Sequence, residues 1–465
     1  MSGLDSTELL SLLESYGDAT CVWVAFSGGM DSAALLESLL DVRDALPGKL
    51  QALHVDHGLH PQSQRWAEHC AAFCRSRAVP LAVERIQITP SAGESLEALA
   101  REARYAAFSR LLGRRELILT AHHQDDQAET LLLALMRGSG VRGLSAMPVS
   151  ARLGRGHLIR PLLGCSRAEI ARFAAERNLD WIEDPSNAQT HLDRNFLRHC
   201  VLPMLQRRWP AASATISRSA RHCAEAAWLV EGLANDVLPQ LLGGHPGTLS
   251  IEMLSQLNRA LQKAAVRAWL ELYGFVLPDT RHLERILDEV APARPDARPL
   301  VAWKGCQIRR YRDDLFCMEP LPEPPPRTLR LEWRLGETPT MLELPSGLGR
   351  LEWHPEPGVS TLARQPPTPL EVRFAQRGCR CRTRLQGHAR PLKDHFQAAA
   401  VPDWLRPYAP MVLCDDRLVA VAGVCGCLTE EGGGVQGRLV WRGLTVAPLA
   451  GVFQREIAVS LPSRA

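Results

Sequence analysis

Residues 26–32 (Phe-Ser-Gly-Gly-Met-Asp-Ser) carry the clearest signal for chemistry in this chain. They follow a continuous apolar run and precede apolar residues with helical spacing. Ser27 and Ser32 can donate hydroxyl groups, and the two glycines let backbone amides face an anion without a Cβ in the way. The start of the helix would direct free N–H groups at the same point. The pattern predicts a cradle for phosphate or pyrophosphate, and the structural alternative is a simple glycine turn. It is not the common P-loop, because G-x-x-x-x-G-K-[ST] is absent.

Two further polar clusters follow apolar runs of strand length. Residues 54–60 read His-Val-Asp-His-Gly-Leu-His, and residues 120–130 read Thr-Ala-His-His-Gln-Asp-Asp-Gln-Ala-Glu-Thr. On a helix beginning near residue 124, Asp126 and Glu129 share a face on which we find no basic neighbour. Paired carboxylates of this kind can hold Mg²⁺ or a cationic amine. Helix capping is the alternative role for His122 and His123, and a zinc site is disfavoured because no cysteine accompanies them.

Basic residues complete the set of candidates in the first half of the chain. Arg101 and Arg104 are three residues apart on an amphipathic helix predicted over residues 94–112, and their alternative role is that of solvated helix charges. Arg194 lies at a predicted helix start, after the polar loop 181–187 (Trp-Ile-Glu-Asp-Pro-Ser-Asn). Arginine suits bidentate contacts with carboxylates and phosphates. A purely structural loop is the alternative for 181–187.

The elements that must position these residues alternate along the chain. Apolar runs of strand length and helical patterns follow one another with short connections up to residue 136, which predicts an α/β fold with a doubly wound parallel sheet. Ligands in such folds bind at the carboxyl ends of the strands, where the three polar clusters lie. Beyond them we predict a helical domain and a small mixed α/β C-terminal domain. The expected boundaries are 1–215 for the α/β domain, 216–320 for a helical domain, 321–370 for a proline-rich linker region and 371–460 for a C-terminal domain.

Composition adds broad limits. The net charge of +3 argues little about partners, although only four of the 54 basic residues are lysine. The chain has 13 cysteines at irregular spacing and no C-x-x-C, which favours reduced, mostly buried thiols over disulfides or a zinc site. No apolar run is long enough for a membrane helix, and the N-terminus lacks the basic residues of a secretory signal. We therefore expect a cytoplasmic protein with no membrane contact.

The motifs resemble those of a known family. Ser-Gly-Gly-Met-Asp-Ser is similar to the signature of the PP-loop ATP pyrophosphatases, whose fold is the adenine nucleotide alpha hydrolase-like type. Taken in order, His-Val-Asp-His-Gly-Leu, Ala-Arg-Glu-Ala-Arg-Tyr, His-His-Gln-Asp-Asp-Gln-Ala-Glu-Thr, Arg160-Pro-Leu-Leu, Trp-Ile-Glu-Asp-Pro-Ser-Asn and Arg-Asn-Phe-Leu-Arg look like the tRNA(Ile)-lysidine synthetase family. The similarity is dense from residue 21 to about residue 200. It implies that 1–215 is an ATP-binding catalytic domain and that 216–320 and 371–460 bind tRNA. A weaker likeness covers Leu392-Lys-Asp-His-Phe and Val401-Pro-Asp-Trp-Leu-Arg.

The resemblance implies a reaction. ATP would activate carbon-2 of the wobble cytidine in tRNA(Ile) with a CAU anticodon, and free L-lysine would then displace AMP to give lysidine, which changes codon recognition from AUG to AUA. The co-substrate is ATP and the expected metal is Mg²⁺. A PP-loop tRNA thiolase is the nearest alternative, and a non-catalytic tRNA-binding protein is the alternative from another class. The oligomeric state stays open, and a homodimer is one alternative.

The resemblance also implies roles for individual residues. Catalytic roles fall to Asp31, Asp126, Glu129 and Arg194, with Asp31 also beside Mg²⁺. ATP contacts fall to Ser27, Gly28, Gly29, Met30, Asp31, Ser32, His57 and His122. Lysine contacts fall to Arg101, Arg104, Asp126 and Glu129. In the C-terminal stretch 371–394, seven residues are basic and two are acidic. There we expect Arg380, Arg382, Arg384 and Lys393 to contact the tRNA backbone, and a solvated surface is the alternative.

Overall fold

The structure is a computed structural model of the whole chain. It describes residues 5–58, 61–87, 96–185, 189–294, 297–335, 339–345, 347–356, 369–375, 378–383, 388–428, 436–443, 452–453 and 455–461. The chain divides into two compact units, Met1–Leu229 and Val230–Ala465. Among the helices of the described residues, none is long and apolar enough to cross a membrane.

The first unit alternates strands and helices, as predicted. Its elements are α1 Ser6–Glu14, β1 Cys21–Ala25, α2 Met30–Leu40, β2 Lys49–Asp56, α3 Ser63–Ser76, β3 Leu81–Arg85, α4 Leu96–Leu111, β4 Glu116–Leu119, α5 Gln124–Met136, α6 Val141–Leu144, β5 Ser150–Leu153, β6 Gly156–Ile159, α7 Arg167–Glu176, α8 Asp193–Phe196 and α9 Leu202–Arg208. The next helix, α10 Ala212–Val237, begins in the first unit and ends in the second. Short 3₁₀ turns lie at Arg43–Ala45 and Pro161–Gly164, and a π-helical turn, Leu197–Val201, joins α8 to α9.

The six-stranded sheet of this unit confirms the predicted fold class. Its strand order is β3-β2-β1-β4-β6-β5, and the first five strands in that order pair in parallel. β1 is central because its run is apolar on both faces: Val22 and Val24 have no exposed surface. Helix α2 covers one face, with Leu35, Leu36 and Leu39 in the core. The antiparallel edge strand β5 was not predicted, since its short run has no period that separates a strand from a loop.

The second unit contains mostly short strands. Its elements are a 3₁₀ turn Leu238–Leu241, β7 Leu249–Ser250, α11 Ile251–Ser255, α12 Arg259–Leu272, α13 Thr280–Arg285, a π-helical turn Ile286–Val290, β8 Leu300–Trp303, β9 Cys306–Tyr311, β10 Asp314–Met318, β11 Arg330–Trp333, β12 Thr340–Glu343, β13 Arg350–Pro355, β14 Leu370–Arg373, β15 Arg380–Cys381, β16 Arg390–Pro391, α14 Leu392–Ala398, a 3₁₀ turn Arg406–Tyr408, β17 Met411–Cys414, β18 Arg417–Val421, β19 Cys425–Gly426, β20 Gln436–Arg442 and β21 Ile457–Ser460.

Four sheets organise these strands, and they refine two expectations. The orders are β7-β10-β9-β8, β11-β14-β17-β18-β19, β12-β13-β20-β21 and β15-β16. The stretch 216–320, expected to be helical, therefore ends in an antiparallel sheet. The stretch 321–370, expected to be a linker region, contains β11, β12 and β13. The prolines at 320–326 precede these strands without entering them, and β11 and β13 pair with strands from beyond residue 369. The four expected domain boundaries stay a proposal.

One expectation about the cysteines is wrong. Cys381 and Cys427 form a disulfide, 46 residues apart in sequence. The sequence favoured free thiols because pairing depends on which strands become neighbours, and that is not visible in cysteine spacing. The other 11 cysteines are free, and Cys21, Cys70, Cys74, Cys306, Cys414 and Cys425 are buried, as expected.

Candidate active site

The loop between β1 and α2 has the geometry that its sequence predicted. Gly29 caps the helix with extended backbone, so α2 begins at Met30. The Ser27 hydroxyl accepts from the backbone N–H of Gly29 at 3.3 Å and lies 3.1 Å from the Ser32 hydroxyl. Ser32 also donates to the Gly29 carbonyl at 2.9 Å. The turn therefore has a fixed shape, with the amino end of α2 directed at its concave side.

The loop 181–187, distant in sequence, contacts the phosphate loop and helps to hold its shape. The carbonyl of Gly28 accepts a hydrogen bond from the backbone N–H of Ile182 at 2.8 Å. Gly28 has φ of +82°, and a Cβ there would lie 2.9 Å from Sγ of Cys70 and 3.0 Å from Cδ1 of Ile182. Only glycine fits both the backbone angle and the space. The predicted polar loop 181–187 is thus partly a support for the phosphate loop, although Ser186 and Asn187 lie outside the described residues.

Asp31 lies in the first turn of α2 with one carboxylate oxygen unsatisfied. Its Oδ1 is buried and has no hydrogen-bond partner among the described residues. Burial raises the pKa of Asp31, and the nearby Asp126 carboxylate adds to that rise, against the opposing effect of His123. A buried oxygen without a donor fits a bound cation, which would remove the cost of desolvation. The residue therefore fits its expected place beside Mg²⁺.

The cluster at the end of β2 places two histidines differently. His54 is buried, and its Nδ1 lies 3.0 Å from the Phe26 carbonyl, so it is a structural residue below the loop. The Nδ1 of His57 is buried without a partner among the described residues. Burial and the positive charge of Arg104 lower the pKa of His57 to about 4. His57 is therefore neutral near pH 7. His60 lies outside the described residues.

Asp126 and Glu129 are tightly bound to two arginines. Glu129 has no exposed surface; its Oε2 accepts from Nε of Arg194 at 2.7 Å and its Oε1 accepts from Nε of Arg198 at 2.6 Å. Asp126 accepts from Arg198 at 2.7 Å and from Arg194 at 3.2 Å. Two carboxylates and two guanidiniums thus form a closed cluster of nearly zero net charge, which we call the carboxylate–arginine cluster.

This cluster corrects one premise of the sequence analysis. We found no basic neighbour for Asp126 and Glu129 on α5, yet Arg194 and Arg198 reach them from α8 and the π-helical turn after it. The reason is tertiary, because the two segments are more than sixty residues apart. Arg198 was the functional candidate that sequence reasoning missed. Its spacing of four residues from Arg194 was a usable signal, since such residues lie on one helix face.

Protonation in this cluster is fixed by its charges. Burial opposes ionisation of Asp126, but the charges of His123 and Arg194 outweigh it and hold the pKa of Asp126 below its ordinary value. Burial likewise opposes the charge of Arg198, but its hydrogen bond to Glu129 raises the pKa of Arg198 overall. Both groups are therefore ionised near pH 7.

His123 joins the phosphate loop to the carboxylate–arginine cluster. It is 2% exposed, and its Nε2 lies 3.7 Å from a carboxylate oxygen of Asp31 and 3.4 Å from one of Asp126. The backbone N–H of His123 donates to Asp126 at 3.0 Å, which closes the capping box of α5. His123 therefore caps α5 and also lies between the carboxylates of Asp31 and Asp126.

The neighbouring His122 faces further arginines. Its Nδ1 lies 2.8 Å from the Thr120 hydroxyl. Burial lowers the pKa of His122 well below its ordinary value, and the charges of Arg160 and Arg194 act in the same direction against that of Asp126. Arg160 is 5% exposed and lies near His122. It is a second basic residue that sequence reasoning did not assign to the site.

Tyr105 links the arginines of α4 to this side of the site. Its hydroxyl accepts from Arg101 at 3.1 Å and from Arg160 at 3.3 Å. Arg104 lies on the His57 side and lowers the pKa of that imidazole. The structure therefore brings the expected residues of the first unit together around one end of the sheet, with neutral imidazoles and several guanidiniums that suit an anionic ligand.

The basic residues of the C-terminal stretch 371–394 differ in their exposure and in their partners. Arg380 and Lys393 are exposed, Arg382 is partly buried, and Arg384 lies outside the described residues. Arg380 donates to the Ala389 carbonyl at 2.7 Å. Arg373, counted in the same stretch, is instead 7% exposed and paired with Glu371 and Asp416. Arg373 is therefore a structural charge rather than part of an open basic surface.

Comparisons with known proteins extend over all these regions. Residues 2–205 match the family model of a PP-loop domain, residues 249–316 match the TilS substrate binding domain, and residues 370–441 match the TilS substrate C-terminal domain. A protein of Coxiella burnetii called tRNA(Ile)-lysidine synthase is 39% identical over 420 residues, which cover 90% of this chain and 92% of that protein. One of the same name from Serratia proteamaculans is 40% identical, with coverage of 90% and 94%.

Proposed function

Because this chain belongs to the tRNA(Ile)-lysidine synthase family, we propose that it ligates free L-lysine to carbon-2 of the wobble cytidine in tRNA(Ile) with a CAU anticodon. The chain is an enzyme of tRNA modification with an ATP-binding PP-loop domain. The proposed reaction has two steps. The cytosine carbonyl oxygen attacks the α-phosphate of ATP and pyrophosphate leaves; the lysine ε-amine then attacks carbon-2 and AMP leaves. The product, lysidine, would read AUA instead of AUG.

The observation that carries this proposal is the convergence at His123. Its ring lies within 3.7 Å of Asp31 from the phosphate loop and 3.4 Å of Asp126 from the carboxylate–arginine cluster. An anion cradle and a set of paired charges therefore face one point, as a reaction between a triphosphate and an amine requires.

Residues of the phosphate loop are proposed to hold ATP. Backbone amides at Gly28 and Gly29, the hydroxyls of Ser27 and Ser32, and the start of α2 at Met30 would bind the phosphates. Asp31 would hold Mg²⁺, which when bound neutralises the charge that develops on pyrophosphate. His57 and His122, both with lowered pKa, would contact the nucleotide as neutral groups.

The lysine site is proposed at Asp126 and Glu129, with Arg101 or Arg104 for the lysine carboxylate. Both carboxylates are bound by Arg194 and Arg198, so the substrate ammonium would have to share or displace a guanidinium. If lysine displaces a guanidinium from Asp126 or Glu129, that guanidinium would become able to contact the ATP phosphates when lysine binds. We assign this role to Arg194, because its contact with Asp126, at 3.2 Å, is longer than the 2.7 Å contact of Arg198.

The C-terminal basic residues are proposed to contact tRNA backbone. Arg380, Arg382, Arg384 and Lys393 show no base-reading pattern, and backbone contacts need only charge. The alternatives are disfavoured by specific features. A thiolase needs paired catalytic cysteines or an iron–sulfur cluster, and the sequence has no C-x-x-C. A non-catalytic binder would not need the buried oxygen of Asp31 that fits a cation.

Incubation of the purified chain with ATP, labelled lysine and tRNA(Ile) bearing CAU tests the proposal. We expect label in a modified nucleoside of the digested tRNA, with AMP and pyrophosphate released in equal amounts. A tRNA with guanosine in place of the wobble cytidine should take up no label. Binding of tRNA without AMP formation would point to the non-catalytic alternative, and incorporation of sulfur would point to a thiolase.

A further inference from the structure

A cluster of three cysteine sulfurs lies in the second unit, in sequence far from the residues proposed for catalysis. The Sγ atoms of Cys381, Cys425 and Cys427 all lie within 4.8 Å of one another. The three residues are 1%, 9% and 4% exposed. Cys381 and Cys427 form the disulfide, and the Sγ of Cys425 lies 3.8 Å from that of Cys381. A disulfide needs two cysteines, so the third buried thiol calls for its own explanation.

The topology brings two C-x-C segments face to face. Residues 379–381 and 425–427 are both extended, and the backbone N–H of Leu428 donates to the Arg382 carbonyl at 2.6 Å. In extended chain, residues two apart point to the same face. Cys425 and Cys427 therefore share a face, and so do Cys379 and Cys381. The alternating arginines Arg380 and Arg382 occupy the other face of their segment.

The spacing suits a tetrahedral thiolate site. A zinc–sulfur bond of about 2.3 Å implies a separation of about 3.8 Å between two sulfurs of one tetrahedron. The Cys381–Cys425 separation is 3.8 Å. We propose that the reduced chain binds one zinc ion through the thiolates of Cys381, Cys425 and Cys427. Cys379 is half-buried and packs against the same core, and we propose it for the fourth position if four sulfurs bind the metal.

Burial explains why such a site would need the metal. Cys381, Cys425 and Cys427 are all buried, and a buried thiolate without a compensating positive charge is costly. A divalent ion supplies the charge that makes buried thiolates stable, and binding releases their protons. His395 tightens the site from the backbone side, because its Nε2 donates to the Cys381 carbonyl at 3.0 Å.

The disulfide and the metal are alternative states of the same sulfurs. A peroxide would take two electrons from the thiolates of Cys381 and Cys427 and two protons from the solvent. Hydrogen peroxide would become two molecules of water, and an organic hydroperoxide would become one alcohol and one water. The sulfurs would form the disulfide and zinc would leave. The Cys381–Cys427 disulfide of the structure would then be the oxidised, metal-free state.

Metal analysis of the full chain purified with a thiol reductant tests this inference. We expect about one zinc per chain by mass spectrometry, and X-ray absorption should show three or four sulfurs at about 2.3 Å. Cobalt substitution should give thiolate charge-transfer bands. Cys425→Ser should lose the metal, whereas the matched control Cys414→Ser should keep it, because Cys414 is 1% exposed in the same core but outside the cluster. Treatment with hydrogen peroxide should release the zinc.

Three outcomes would overturn the inference. The reduced chain could bind no zinc or cobalt, its absorption spectrum could show fewer than three sulfurs, or Cys425→Ser could keep its metal. If Cys425→Ser does not fold by circular dichroism, the absorption spectrum of the unmodified chain decides alone. None of these readouts depends on catalytic activity, so the result stands apart from the proposed ligase reaction.

Discussion

The fully buried carboxylate of Glu129 lies 2.6 Å from Nε of Arg198, a residue 69 positions further along the chain. A second guanidinium nitrogen of Arg198 lies 2.9 Å from the other carboxylate oxygen, so the pair is bidentate. Geometry of this kind holds α5 against the helical segment that begins at Asp193. It also means that a change at either residue acts on stability and on the candidate site together.

Arg198→Met should destabilise the chain by about 3 kcal/mol, because it leaves a buried carboxylate with one partner fewer. Urea unfolding followed by circular dichroism measures the loss. The matched control is Arg110→Met, since Arg110 pairs with Glu84 at 2.8 Å but both side chains are exposed. That control should cost less than about 1 kcal/mol. Equal losses in the two variants would contradict a buried, bidentate role for Arg198.

Asp31→Asn should abolish tRNA-dependent exchange of pyrophosphate into ATP while leaving the melting temperature unchanged or higher. The carboxylate is proposed to hold the cation, and its buried Oδ1 makes no hydrogen bond within the described residues that the fold could lose. Asp41→Asn is the control at the other end of α2, where Asp41 pairs with Arg177 at 2.7 Å. Exchange at the unmodified rate in Asp31→Asn would remove Asp31 from the reaction.

Glu129→Gln should raise the KM for lysine much more than the KM for ATP if Glu129 holds the substrate ammonium. Loss of one charge-assisted hydrogen bond is worth roughly 1.5–3 kcal/mol, or about 10- to 150-fold. Steady-state kinetics with each substrate varied in turn gives both constants. Asp41→Asn, which removes a carboxylate at the carboxyl end of α2, should change neither KM. Equal effects of Glu129→Gln on both substrates would indicate a role in arranging Arg194 and Arg198 instead.

The stability of the ATP-free chain should fall as the pH drops below about 6.5, and His57 should contribute to that fall. An unfolded histidine binds a proton near pH 6.5, whereas burial and Arg104 lower the pKa of folded His57 to about 4. The unfolded state therefore takes up the proton first, and the contribution of neutral His57 is lost between these two values. Thermal unfolding at a series of pH values should show a shallower fall for His57→Gln. An unchanged slope would mean that His57 titrates alike in both states.

Replacing Arg380, Arg382 and Arg384 together by alanine should weaken tRNA binding and flatten its salt dependence. Each lost phosphate contact reduces the slope of log K against log salt by about 0.7–0.9. The KM for ATP should stay close to that of the unmodified chain. Arg334→Ala is the control for the loss of one positive charge, since Arg334 is exposed and pairs with Glu332, outside the basic stretch. An unchanged slope in the triple variant, with the fold intact, would favour a merely solvated surface.

The alternating strands and helices of the first unit up to residue 136, and the chemistry of the loops between them, could be predicted from the sequence. Local rules were sufficient there, because an apolar run between turns specifies a strand and the residues after it lie at the same edge of a parallel sheet. The start of α2 after Ser-Gly-Gly and the bounds of α5 follow from the same local signals. The identity of the family follows from motif order, which also needs no structure.

Which charges and which sulfurs meet depends on tertiary packing and could not be predicted from the sequence. Arg198 reaches Glu129, and Cys425 lies beside Cys381, across 69 and 44 residues of chain. Such pairs depend on which whole elements pack together. The local propensities that can be read from one sequence do not specify this packing. For the same reason, the strands between residues 330 and 355 were not predicted, and the stretch that contains them was expected to be a linker region. β11 and one edge of β13 pair with strands that lie beyond residue 369, and cross-strand contacts of this kind are what stabilise a short strand.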